Sequence, residues 1–158
     1  MFGLELHKMP TFPNLIAENL NRDEIEIPSQ LQGRLNVLIV AFQQWHQTLV
    51  DTWIPLLADL AGQNPEFDFY ELPTIRKMNF VFRGFIDGGM RGGIKSIDTR
   101  GRTITLYIDK TPFKEALEIT TEDTIHTFLV DKQGEIFWRS EGAIDQEKAQ
   151  SLDRKSVV

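Results

Sequence analysis

The run Asn36 to Phe42, Asn-Val-Leu-Ile-Val-Ala-Phe, is apolar almost throughout and rich in β-branched side chains. Such a run suits a strand covered on both faces at the centre of a largely parallel sheet. A strand of that kind needs helices on either side, which restricts the chain to a layered α/β fold. The following residues agree with this. From about Trp45 to Ala61, Leu49, Trp53, Leu56 and Leu60 recur every three to four residues, and Gly62 follows as a C-terminal cap. The spacing predicts one amphipathic helix. Pro55 lies inside it and predicts a kink there, because proline lacks the amide hydrogen and crowds the preceding turn.

The same reading extends along the chain. Leu15 to Glu18 and Glu24 to Ile27 flank a polar Asn-Leu-Asn-Arg turn and predict an N-terminal β-hairpin at the sheet edge. Glu66 to Leu72 predicts a second strand, and Met78, Val81, Phe82, Phe85 and Ile86 a helical stripe ended by glycines. Thr103 to Ile108 predicts a third strand. A short helix follows from Thr111-Pro112 to about Leu117, with proline in its first turn. Ile125 to Val130 and Glu135 to Trp138 form a strand pair around a turn containing Gly134. Asp145 is placed to cap a last helix through Leu152, with a frayed end from Asp153 to Val158.

A chain of 158 residues fits one domain. The expectation is a single domain over 1–158 with its core at about 12–152. No apolar run approaches the ~20 residues needed to cross a bilayer, so a soluble protein is expected. Met1 to Pro10 has neither an apolar h-region nor an Arg-rich pattern, which makes cytoplasmic the default location. The net charge of −6 argues against nucleic acid as a partner. Within that average, Arg76 to Arg102 holds seven basic residues against Asp87 and Asp98, and so carries +5. There is no cysteine. That excludes disulfides, thiolate metal sites and any mechanism in which a thiolate attacks a disulfide or a peroxide.

The order of elements, and two motifs, resemble the peroxiredoxin-like branch of the thioredoxin fold. Val37-Leu-Ile-Val-Ala-Phe-Gln-Gln-Trp-His46 is similar to the strand and turn that lead into the Trp-Cys-X-X-Cys active site. The four residues in the Cys-X-X-Cys place are His46, Gln47, Thr48 and Leu49, preceded by Trp45, and Pro55 has the spacing of the proline in the thioredoxin helix. Thr124-Ile-His-Thr-Phe-Leu-Val130 resembles the segment that carries the cis-proline, with His126 in the proline's place. Phe85-Ile-Asp-Gly-Gly-Met-Arg-Gly-Gly93, Leu106-Tyr107 and Phe128 to Arg139 with Ser140-Glu-Gly142 resemble a narrower group. These are the thioredoxin-like ATP synthase assembly factors typified by mitochondrial ATPase complex subunit ten, and the resemblance spans roughly Phe12 to Leu152. It implies an α/β, thioredoxin-like fold with a mixed central sheet and helices on both faces. It also implies a chaperone-like role toward a membrane subunit of the enzyme.

Two groups of residues are then candidates for function. Trp45, His46, Gln47, Thr48, Leu49 and His126 form a vestigial active site. A neutral His46 at a helix start, facing His126, is able to share a proton or a metal ion, which is the basis of an alternative reading as a metal-binding protein or enzyme. That reading predicts neighbouring imidazoles, at least one titrating below the ordinary value, and a trans Ile125–His126 bond. Within the basic segment, Arg83, Asp87, Met90, Arg91 and Lys95 are candidates to dock on an acidic protein or an anionic lipid surface. Its glycine cluster, Gly88 to Gly93, is able to form an anion nest. No Gly-X-Ser-X-Gly elbow and no Walker or Rossmann spacing is present. The leading expectation is a non-catalytic, redox-inactive binding or assembly protein with a protein partner and no cofactor.

Overall fold

The computed structural model describes residues 9–76 and 97–156. The expected central strand is β3, Leu35–Ala41, and it lies in the middle of a five-stranded sheet of order β5-β4-β3-β6-β7. β4 (Phe67–Arg76) runs parallel to β3, and β5 (Leu106–Ile108) parallel to β4. β6 (His126–Asp131) and β7 (Ile136–Glu141) complete the other side in antiparallel register. The sheet is therefore mixed. Alternation along β3 explains its composition, because Leu38 and Val40 enter one core and Val37 and Ile39 the other.

The core containing Val37 and Ile39 is closed by α1 (Gln47–Asp51), α2 (Ile54–Gln63) and α5 (Gln146–Ser156), which contribute Val50, Leu57 and Leu152. Trp53, fully buried, meets Trp138 edge to face with centroids 6.0 Å apart, and its indole N–H donates to the Gly142 carbonyl at 3.0 Å. A short helix, α3 (Ile97–Arg102), precedes β5, and the opposite core is closed by α4 (Lys110–Leu117) through Phe113 and Leu117, together with Phe12, Ile27 and Leu31 from the N-terminal residues. Helices therefore cover both faces, as the resemblance implied.

Several boundaries differ from the sequence reading. The single kinked helix is instead a 3₁₀ turn over Gln44–His46 followed by two helices, α1 and α2, that break at Thr52 and Trp53. Pro55 then sits in the first turn of α2, where its missing amide hydrogen has no intrahelical role. Gly62 lies inside the last turn of α2, and Asn64 is the C-cap. The hairpin, β1 (Leu15–Glu18) with β2 (Glu24–Ile27), has the expected bounds but forms its own two-stranded sheet, tied to the main body by an Asn19–Ile104 bridge. Thr103 and Ile104 make only isolated bridges ahead of the short β5. α5 continues to Ser156, which is buried, so the expected fraying from Asp153 is replaced by helix. Asp145 does cap that helix, accepting from the Lys148 amide at 2.7 Å. The helical stripe and glycine cluster expected between Met78 and Gly93 lie outside the described residues.

Two close approaches hold the sheet's lower end. A Cβ on Gly33 would stand 2.5 Å from the Leu35 carbonyl oxygen, and the buried Asn36 amide brackets Gly33, accepting from its N–H at 3.0 Å and donating to its carbonyl at 2.8 Å. Gly134 turns the β6–β7 hairpin at φ +88°, and a Cβ there would meet the Phe12 carbonyl oxygen at 2.7 Å.

Candidate functional site

The upper ends of β3 and β6 place the expected site residues. Where β3 ends, the chain turns through Phe42 and Gln43 into the 3₁₀ turn, and the His46 ring folds back over that turn. Its Nδ1 accepts from the Phe42 amide at 3.1 Å and the Gln43 amide at 3.3 Å. A nitrogen that accepts two N–H groups carries no hydrogen, so the neutral ring holds its proton on Nε2. His46 is fully buried, and Nε2 has no hydrogen-bond partner. Burial depresses its pKa, and the charge of His126 adds to this against a smaller opposing effect from the backbone and carboxylate of Asp123.

His126 begins β6, opposite Val40, and is 1% exposed. Its Nε2 lies 2.8 Å from the Thr121 carbonyl oxygen, which only accepts, so Nε2 bears the hydrogen here too. Nδ1 has no hydrogen-bond partner and stands 3.4 Å from Glu141 Oε1. Burial lowers the His126 pKa and Arg139 adds to this, whereas the Thr121 bond and Glu141 act the other way. The Phe42 ring lies edge-on to the His126 ring at 6.0 Å, so Phe42 touches both histidines. The Ile125–His126 bond is trans; the cis peptide among the described residues is Ile27–Pro28.

The remaining residues divide between surface and interior. Trp45 is 52% exposed, yet its ring is fixed: it packs edge to face on His46 at 4.5 Å, and its Nε1–H donates to Gln43 Oε1 at 3.1 Å. Gln43 is held in turn, since its Nε2 donates to the Glu122 carbonyl at 2.9 Å. Thr48 is exposed and donates to the Trp45 carbonyl at 3.0 Å, and Leu49 packs half-buried on the Trp53 core. Gln47 donates from one amide nitrogen to Asp51 at 2.9 Å and to Glu71 at 3.0 Å. Arg83, Asp87, Met90, Arg91 and Lys95 lie outside the described residues.

Three residues of this site went unnoticed in the sequence. Gln43 pins Trp45. Glu122 receives Lys110 at 2.7 Å and Lys114 at 2.6 Å, which holds its carboxyl below the ordinary range and fixes the loop ahead of β6. Glu71 faces Ile39 in register inside β4, and burial raises its pKa despite the Gln47 bond. A carboxylate in the middle of the apolar run Phe-Asp-Phe-Tyr-Glu-Leu was the available signal.

Chemically, the arrangement is closed. His46 spends its lone pair on backbone amides, and of the four ring nitrogens only His126 Nδ1 keeps a lone pair to give. Among the described residues no three His, Asp or Glu side chains converge to hold a metal ion. What the site presents outward is the indole of Trp45 among the uncharged polar side chains of Gln43, Gln44, Gln47 and Thr48.

Comparison with known proteins gives this geometry its context. The profile of the family described as ATP10 protein matches residues 6–156. No curated protein sequence matches the chain. Among solved structures, the thioredoxin domain of a thiol-disulfide oxidoreductase from Bacteroides vulgatus superposes with a TM-score of 0.56 at 14% identity, covering 98% of this chain and 100% of that one. BsSco, a member of the Sco family of cytochrome c oxidase assembly proteins, does so with a TM-score of 0.60 at 10% identity, covering 95% of each chain. The exposed lipoprotein thioredoxin of Streptococcus pneumoniae has a TM-score of 0.56 at 12% identity, over 90% of this chain and 99% of that one. At these identities the likeness is one of fold, which is thioredoxin-like.

Proposed function

This chain belongs to the ATP10 protein family, and from that premise we propose that it is a redox-inactive assembly factor for ATP synthase, which binds a protein partner on the face built around Trp45. The observation that carries the reading is the division of labour between His46 and Trp45, at the position that the resemblance aligns with the first thiol. His46 is buried and bonded to its own backbone, whereas the adjacent Trp45 is held outward in one orientation. A fixed, half-exposed indole is the kind of side chain that anchors protein interfaces, because ordering it on binding costs little. With no cysteine in the chain, thiol turnover has no nucleophile. The family reading puts its work beside the membrane in which ATP synthase is built, inside the organelle for the mitochondrial members. No described helix is long and apolar enough to cross a membrane.

The test is co-purification. Tagged wild-type chain should enrich newly made ATP synthase subunits from native cells, and Trp45→Ala should cut that enrichment severalfold with little change in thermal midpoint, since the indole is half in water. Undiminished capture by Trp45→Ala would remove this face from the binding site.

A further inference from the structure

The N-terminal hairpin has one face that the fold does not use. Register places Leu15 opposite Ile27 and Ala17 opposite Ile25, and these four pack toward the core. The alternate pairs, Ile16 with Glu26 and Glu18 with Glu24, point outward and are all exposed, Ile16 by 67%. Glu18 and Glu24 stand directly opposite one another, an arrangement of like charges that weakens a strand pair. None of the ion pairs among the described residues reaches Glu18, Asp23, Glu24 or Glu26. The face is nevertheless held firmly. Asn19 Oδ1 accepts from the Asn21 amide at 2.9 Å and the Asp23 amide at 3.0 Å, and the Leu20 amide donates to the Arg100 carbonyl at 3.0 Å. Between the hairpin and β4 runs a groove of about 820 Å³, lined by Asp23 and Glu24 on the hairpin side and by Gln32, Asp68, Tyr70 and Arg102. Arg102, the one basic residue of that lining, is paired with Asp68, which leaves the groove acidic as well.

From this face and groove we infer that the hairpin docks a basic segment of a protein partner, whose Lys or Arg side chains lie along Ile16 and meet Glu18, Glu24 and Glu26. Such a side chain lays its methylene stem on an exposed aliphatic group while its charge reaches a carboxylate, and Ile16 among three glutamates suits it. A cation placed between Glu18 and Glu24 replaces their repulsion by attraction, so the pair that weakens the free hairpin strengthens the bound one. The groove continues the acidic surface past Glu24, and its volume is that of a binding cleft. This surface lies apart from the Trp45 face. Asp68 is in register with Asn36 near the start of β3, whereas Trp45 follows the end of that strand. A contact here is therefore additional to the one proposed above, and either fails without the other. The chain's own basic stretch from Arg76 to Arg102 makes a second copy the competing occupant. That contact would join two different surfaces, and so build rings or open chains of copies.

The test titrates the full chain with a labelled peptide of alternating Lys and Val, capped at both ends, and with Glu–Val and Ser–Val peptides of the same length. The Lys–Val peptide should bind, and severalfold more weakly at about 300 than at about 50 mM salt, while the other two should not bind. Glu18→Gln together with Glu24→Gln should weaken that binding roughly tenfold at about 50 mM salt. The same double variant should keep or raise the thermal midpoint, because the like-charge pair is gone. A control removes two exposed carboxylates elsewhere, Asp59→Asn on α2 with Glu147→Gln on α5, and should bind within about twofold of wild type. An equal loss in the control would reduce the effect to net charge and overturn the inference. Binding of the Ser–Val peptide, or an affinity that ignores salt, would overturn it too. Sedimentation at about 50 mM salt decides the occupant: wild type should be monomeric. Self-association that the Glu18→Gln, Glu24→Gln variant abolishes would assign the face to a second copy and sink the proposal of a partner.

Discussion

The two buried histidines stand at the same end of the sheet, His46 in the turn that follows β3 and His126 at the start of β6, and share Phe42 between them, yet they are bonded in opposite senses. His46 uses its ring as a local cap: one nitrogen satisfies two amides of the turn it follows. His126 uses its ring as a long-range tie, donating to the Thr121 carbonyl and facing a carboxylate on the next strand. A ring that accepts from backbone substitutes for missing turn hydrogen bonds, and losing it leaves donors stranded. A ring that donates to a carbonyl leaves behind an acceptor, which a buried water or a small shift satisfies more easily.

The sharpest break of that comparison is a pair of alanine variants. His46→Ala opens a cavity and strands two amides in one turn, and should cost about 2 to 4 kcal/mol. His126→Ala opens a cavity too but strands one acceptor in place of two donors, and should cost about 1 to 3 kcal/mol. Urea midpoints of the two variants against wild type decide it. A His126→Ala loss equal to or larger than that of His46→Ala would show that the cap is not what makes His46 matter.

The next effect is in the pH dependence. Both histidines have pKa values lowered from 6.5 by burial, so the folded protein binds fewer protons than the unfolded chain in mild acid. Their contribution to stability is therefore complete above 6.5 and is lost as pH falls from 6.5 through the folded values. Glu141 opposes this at His126 alone. Glu141→Gln removes the one carboxylate that favours the imidazolium, so the His126 resonances should titrate at lower pH while those of His46 keep their midpoint. Ring titration by NMR reads both at once. A shift of the His46 midpoint alone, or of neither, would contradict the assignment of Glu141 to His126.

How much of this was legible follows from the same chemistry. The hairpin bounds and the central strand were readable because period and β-branching act locally: Leu15–Glu18, Glu24–Ile27 and Leu35–Ala41 carry their signals in their own residues. The expectation that His46 and His126 form a pair came from resemblance alone, since nothing local relates the turn after β3 to the start of β6. The break before α2 was not legible. Leu49, Trp53, Leu56 and Leu60 keep helical spacing across it, and a proline is compatible either with a kink or with a fresh start in a first turn. Gln43 was invisible for a different reason. Its role depends on a carbonyl 79 residues away, at Glu122, and a lone glutamine in a turn gives no sign of that.

The smallest effect tests the half-buried carboxylate of the site, which titrates in the opposite sense to the histidines. Glu71 sits between Gln47 and the sheet, and burial raises its pKa above 4.5, with Asp51 adding to the same direction. The folded state thus holds this proton more readily than the unfolded chain, so the group contributes stability as pH falls below the folded value and costs some at neutral pH. Glu71→Gln removes the ionised form but keeps an Oε1 that accepts from Gln47. It should stabilise the protein by a few tenths to about 1 kcal/mol at neutral pH, because an uncharged acceptor satisfies the same donor without the desolvation. The gain should shrink on acidification, as wild-type Glu71 takes up its own proton. Urea unfolding at about pH 7 and about pH 4.5 measures both. A destabilised variant, or a difference that does not change between the two, would mean that the Glu71 charge is used by the fold and that the Gln47 amide alone does not account for its place in β4.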